Sequence, residues 1–141
     1  MLSVTINNKM EVSNSGARNF QNLAVWEAGY NVCLEICRAA DALPEKDNAV
    51  VQQLRSAAST IPLELSKSAS FKPGRRYLMF LKNAFVSTKQ LGTLLMLCHD
   101  LNYLPSEKFM ELNSKVNIFS SKLWKFIKYT ERRIRQRETK N

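Results

Sequence analysis

Apolar residues recur along most of this chain at alternating steps of three and four, the spacing of one face of an α-helix. The cleanest run is Tyr77, Leu81, Ala84, Thr88, Leu91, Leu95 and Cys98. It predicts a helix over about 73–103, about 45 Å long at 1.5 Å per residue. Phe109, Leu112, Val116, Phe119, Leu123, Phe126 and Thr130 repeat the steps and predict a helix over about 105–137. Val51, Leu54, Ala58, Ile61 and Leu65 predict one over about 48–69, and Trp26, Tyr30, Cys33, Cys37 and Ala40 one over about 22–43. Residues 1–19 are polar, rich in Asn and Ser, and carry no period. They read as a disordered or flexible arm ahead of one domain spanning 20–137.

The punctuation between these runs has mechanisms. Asn22 and Asp47 are placed to act as N-caps. Pro44 ends the first helix, because the residue before a proline is pushed out of the α region. Pro73 sits where a first helical residue is expected, and Pro105 opens the fourth helix. All the loops are short, so sequential helices are expected as antiparallel neighbours. The fold class is all-α, an up-down-up-down four-helix bundle with a basic C-terminal helical extension. Pro62 interrupts the second helix at a cost of about 3 kcal/mol. A bend is expected there, with Ser59 or Thr60 bonding the carbonyl that the ring frees.

Composition supports long helices, since Gly and Pro number 4 each and hydrophobic residues make up 45% of 141. The three cysteines, Cys33, Cys37 and Cys98, lie in apolar surroundings, and Cys33 and Cys37, one helical turn apart, have no histidine nearby to complete a metal site. They read as buried reduced thiols. The N-terminus has no apolar core of signal-peptide length, and no run approaches the roughly 18 apolar residues of a membrane span. A cytoplasmic protein with no membrane partner is expected. The basic tail has Ile134 as its one large apolar residue after Tyr129, too little for a membrane-surface helix.

The net charge is +9 and is unevenly placed. Between 22 and 65 there are three bases and six acids; between 66 and 90, six bases and no acid; between 122 and 141, eight bases and two acids. Threaded onto the bundle, Lys67, Lys72, Arg75, Arg76, Lys128, Arg132, Arg133, Arg135 and Arg137 gather towards one pole. Asp41, Glu45, Asp47, Asp100, Glu107 and Glu111 gather at the other. Helix dipoles account for acids at the starts of helices and arginines at the end of the fourth. They do not account for Lys72, Arg75 and Arg76, which sit at a helix start where positive charge is unfavourable. That placement points to a site for phosphate groups. Phe71, Tyr77 and Tyr129 lie beside these bases. Two segments, 77–81 and 94–98, are more apolar than one buried face requires, and Phe80, Phe85, Leu94 and Leu97 fall off the main stripe. They are candidates for an oligomer interface.

No catalytic constellation emerges. His99 is the one histidine, and its neighbour Asp100 is expected to point elsewhere on the helix. There is no Gly-rich phosphate loop and no helical Glu-x-x-His motif. The expectation is a protein that is not an enzyme, with no cofactor and no metal.

Three stretches carry a resemblance: "FQNLAVWEAGYNVCLEI" (20–36), "QLRSAASTIPLEL" (53–65) and "LMLCHDLNYLPSEKFMEL" (95–112). Together they resemble the four-helix-bundle family of 23S rRNA intervening-sequence proteins, the second stretch most specifically. The resemblance implies a small cytoplasmic bacterial bundle that assembles as a homopentamer. It also implies kinship with the accessory variability proteins of diversity-generating retroelements, basic pentamers that bind a reverse transcriptase and its nucleic acid. A nucleic-acid-binding scaffold follows as the expectation, with RNA ahead of DNA. The alternative is an interaction adaptor that docks a reverse transcriptase. Family members commonly continue Ser-Asn-Ile-Ala-Glu-Gly after the Ile-Pro. Here Leu63, Glu64, Leu65, Ser66, Lys67 and Ser68 stand instead, which makes the basic pole more basic.

Overall fold

A computed structural model describes residues 17–140, with side chains from Asn22 onward. The arm expected ahead of the bundle lies, up to residue 16, outside the described residues. Four helices follow: α1 (Ala17–Asp41), α2 (Ala49–Ser68), α3 (Arg75–Asp100) and α4 (Ser106–Lys140). No strand occurs among the described residues. α1 packs on α2 and α4, and α3 packs on the same two, with no close backbone approach across the diagonals. This is the square, up-down-up-down bundle that the short loops demand.

The stripes read from α2, α3 and α4 are the core. Val51, Leu54, Ala58, Ile61 and Leu65 are buried, as are Tyr77, Leu81, Ala84, Thr88, Leu91, Leu95 and Cys98. Leu112, Val116, Phe119, Leu123, Phe126 and Thr130 complete it, with Phe109 half-buried at its edge. α1 differs from expectation. Its buried row is Trp26, Gly29, Val32, Ile36 and Ala40, and Tyr30, Cys33 and Cys37 are half-buried beside it. Gly29 is the reason: a Cβ there would stand 2.9 Å from Leu65 Cδ1 and 3.1 Å from both Ile61 Cγ2 and Phe119 Cζ. The absent side chain lets α1 sit close against α2 and α4, and that approach chooses the row. Trp26 closes the contact by donating its indole N–H to Ser66 Oγ at 2.9 Å.

Several boundaries move. α1 begins at Ala17, so Asn22 is helical and no cap; its amide oxygen instead accepts the Tyr77 hydroxyl. α2 is capped by Asn48, not Asp47. Asn48 Oδ1 accepts the Val50 N–H at 2.9 Å, and its amide donates to the Tyr103 hydroxyl at 3.2 Å. α3 opens at Gly74 with no side-chain cap, one residue after Pro73. It ends at Asp100 because Asn102 takes a left-handed conformation, φ 66. The Tyr103 N–H then reaches back to the Cys98 carbonyl and the Asn102 N–H to that of His99, both 2.9 Å. That pair of bonds is a Schellman closure with asparagine in the left-handed position.

α2 runs unbroken through Pro62. Ser59 and Thr60 both donate to the Ser56 carbonyl, at 3.0 and 2.8 Å, and not to the Ala58 carbonyl that the ring frees. The cysteines are all free thiols; Cys98 is buried, but Cys33 and Cys37 are only half-buried. Burial first, and then the neighbouring Cys37, pushes the Cys33 thiol up to about 12. Burial alone pushes Cys98 up as well.

Candidate nucleic-acid interface

The antiparallel topology brings the end of α2, the start of α3 and the end of α4 to one pole. α2 delivers Lys67, the loop carries Phe71 and Lys72, and α3 opens with Arg75 and Arg76. Aromatic rings bind part of this cluster together. Phe71 stacks on Phe80 with centroids 5.5 Å apart and planes 20° apart. Lys67 Nζ lies 5.8 Å from the Phe80 ring centre, and the Arg76 guanidinium 5.7 Å from that of Phe71. Lys67 also reaches Glu64 Oε1 at 3.2 Å. The two residues that depart furthest in charge from the family pattern therefore pair with each other, and Lys67 is partly neutralised. Lys72 and Arg75 are exposed, and neither makes an ion pair among the described residues.

Tyr77 is removed from this surface. It is 1% exposed, and its hydroxyl is held by Asn22. It starts the core stripe and has no face for a ligand. Tyr129 is half-buried, with the Arg133 guanidinium 5.8 Å from its ring.

The last buried side chain of α4 is Thr130. Beyond it Arg132, Arg133, Arg135 and Arg137 are all exposed and unpaired with carboxylates among the described residues. At 100° per residue they spread around the helix instead of lining one face. Lys128 sits higher, on the side of the bundle. It pairs with Glu131 at 3.2 Å, and Lys82 of α3 reaches the same carboxylate at 3.0 Å. Hydrogen bonding from Lys82, with further help from Lys128, holds the Glu131 carboxyl below its usual range.

At the opposite pole several acids are paired with bases. Arg55 pairs with Asp41. Lys115 bridges Glu35 at 2.8 Å and Glu111 at 3.5 Å, and Lys108 reaches Glu111 at 3.2 Å. Hydrogen bonding to Lys108 lowers the Glu111 carboxyl, and hydrogen bonding to Glu35 raises Lys115. His99 lies here, stacked on Phe109 at 4.7 Å. Contrary to expectation, Asp100 does reach it, at 3.2 Å from Nδ1, while Nε2 lies 2.9 Å from Ser106 Oγ. The imidazole thereby ties the end of α3 to the first residue of α4 across the turn.

Of the four apolar residues singled out on α3, Phe80, Phe85 and Leu94 are half-buried and Leu97 is 40% exposed. Phe85 and Leu94 pack against the core. Besides Leu97, the apolar side chains that face outward include Met79, Val86 and Met96 on α3, Leu63 on α2, and Met110 and Ile118 on α4. Trp124 on α4, 43% exposed, went unread in the sequence. Its one available signal was that it follows Leu123 and so falls off the core stripe.

A family model described as 23S rRNA-intervening sequence protein matches residues 21–125. The chain belongs to that family. Among solved structures, the chain is similar to a protein of unknown function from the S23 ribosomal protein family of Bacteroides thetaiotaomicron. The TM-score is 0.71 at 14% sequence identity, over 77% of this chain and 98% of that one. At that identity the likeness speaks for the bundle fold alone. No curated protein matches the chain. The family match stops at 125, so the arginine tail of α4 lies outside it. No described helix is long and apolar enough to cross a membrane.

Proposed function

We propose that this family member is a non-enzymatic, oligomeric scaffold that binds nucleic acid, RNA in preference to DNA, through the basic pole. The observation that carries the reading is the contrast in pairing. On the flanks and at the far end, Arg55, Lys82, Lys108, Lys115 and Lys128 each face a carboxylate, whereas Lys72, Arg75, Arg132, Arg135 and Arg137 converge on one end without one among the described residues. Arg75 and Arg76 also stand at the uncapped start of α3, where the helix dipole disfavours a cation and favours a phosphate. The preference for RNA draws on the family's description as 23S rRNA-intervening sequence proteins.

Self-association in this reading uses the outer face of α3. Met79 and Val86 are seven residues apart, 47% and 54% exposed, and Leu97 continues the row. Exposed apolar rows of this kind mark contact surfaces. Val86→Glu with Leu97→Glu should lower the particle mass measured by light scattering while leaving the helical circular dichroism intact.

Binding is tested by anisotropy with a labelled RNA hairpin, titrated with salt. Six phosphate contacts imply a loss of about 10³ in affinity between 50 and 200 mM salt. Replacing Arg75, Arg76, Arg132 and Arg133 by Glu should abolish binding without unfolding the bundle; unchanged binding would sink the proposal. An adaptor for a reverse transcriptase would draw on the exposed α3 row as well as the pole. Capture of such an enzyme that survives the charge reversal and is lost with Val86→Glu would favour that role.

A further inference from the structure

The side of the bundle between α3 and α4 carries a feature that the basic pole does not need. Trp124 is a large indole left 43% exposed, and its N–H makes no hydrogen bond among the described residues. The chain's other tryptophan, Trp26, is 8% exposed with its N–H satisfied by Ser66. Trp124 is held in place: its ring sits 5.0 Å from Phe85 at 39°. Cations surround the pair. Lys128 Nζ lies 4.3 Å from the indole centre and Lys89 Nζ 5.0 Å from that of Phe85. Lys82 and Lys128 together neutralise Glu131, the acid among them. The patch is an oriented aromatic surface within a net positive field.

From this geometry we infer that the α3–α4 face is a stacking platform for single-stranded nucleic acid, with an unpaired base lying on Trp124. The inference rests on the nucleic-acid reading above and narrows its ligand to unpaired strands. Aromatic faces recognise exposed base faces, and a duplex keeps those faces covered. An ammonium resting over an exposed ring is weakly held. Lys128 can therefore exchange the indole for a backbone phosphate as the base takes its place. Lys128 is also one helical turn from Arg132, so a strand leaving Trp124 along α4 meets the unpaired arginines of the tail. A second copy of the chain is the competing occupant, and the particle mass of the variant below decides against or for it.

The two tryptophans make the test direct. Emission of the wild-type protein is followed during titration with a twelve-residue oligouridine, and separately with a twelve-base-pair duplex. The oligouridine should quench the exposed indole and the duplex should not, and Trp124→Phe should remove the quench. Trp124→Ala should weaken oligouridine binding about tenfold and leave duplex affinity within twofold. Binding of oligouridine without quenching, or an unchanged affinity in Trp124→Ala, overturns the platform and leaves the basic pole standing. A fall in particle mass in Trp124→Ala also overturns it, since the indole would then join copies of the chain. If neither ligand binds the wild type at low salt, both readings fail. Should Trp124→Ala not fold, the quench measured on the wild type decides.

Discussion

At the acidic end of the bundle, Asn48 caps α2 with its side-chain oxygen and reaches Tyr103 with its amide. Arg55 answers Asp41, and Lys108 and Lys115 answer Glu35 and Glu111. At the basic end, α3 starts at an uncapped Gly74 followed by two arginines, and α4 runs past its last buried residue into four more. The first end spends its charges on local order. The second keeps like charges together without partners, which costs self-repulsion unless an anion offsets it. Two ends of one bundle, joined by the same four helices, thus separate charge that is paired within the fold from charge without a carboxylate partner among the described residues.

The largest effect should come from reversing that asymmetry. With Arg75, Arg76, Arg132 and Arg133 replaced by Glu, affinity for RNA should fall by about 100-fold or more, through lost counterion release. Asp47→Lys with Glu107→Lys at the other end should leave it within about twofold in the same anisotropy assay. Next, Asn48→Ala should cost about 1 kcal/mol in denaturant unfolding, the ordinary value of a side-chain cap, with RNA affinity unchanged. Gly74→Asp tests the mirror case. Its φ of 175 is extended backbone that any residue adopts, and a Cβ there meets only the Lys72 carbonyl at 3.8 Å. The substitution should add a few tenths of a kcal/mol of stability while weakening RNA binding severalfold. The smallest effect concerns Glu131. Its folded carboxyl is held low by Lys82 and then Lys128. The stability it contributes is therefore present above the ordinary carboxylate range and is lost as pH falls through the lowered value. Glu131→Gln should remove that acid-dependent component, less than about 1 kcal/mol for a pair this near the surface, as seen by urea unfolding at pH 7 and pH 3.

The helices were legible where one apolar row dominates. In α4 the polar residues between Leu112 and Thr130 leave one dominant row for the core, and in α3 the row from Tyr77 to Cys98 keeps its three-and-four step unbroken beside further apolar residues; both rows are buried. α1 is apolar on more than one side, so Tyr30, Cys33 and Cys37 fitted the period as well as Val32 and Ile36 did. The gap at Gly29, which admits Leu65 and Phe119, broke the tie. The caps were ambiguous for a local reason: Asp47 and Asn48 are both good caps, and Asn48 has the amide that can also serve Tyr103. The basic residues of the candidate site were readable as a list and a pole. Tyr77 fitted both the core stripe and the basic loop, and Trp124 was not readable as surface, because an aromatic residue fits either environment until its neighbours are known.

By itself, the sequence determined the four helices, their alternating direction and the segregation of charge, because period, proline placement and loop length are local properties. Only the tertiary structure decided which lysines are spent on glutamates, which row of α1 faces inward, and that one tryptophan is buried while the other stands between α3 and α4. Those outcomes depend on what comes within a few ångströms from another helix, and no spacing along the chain records that.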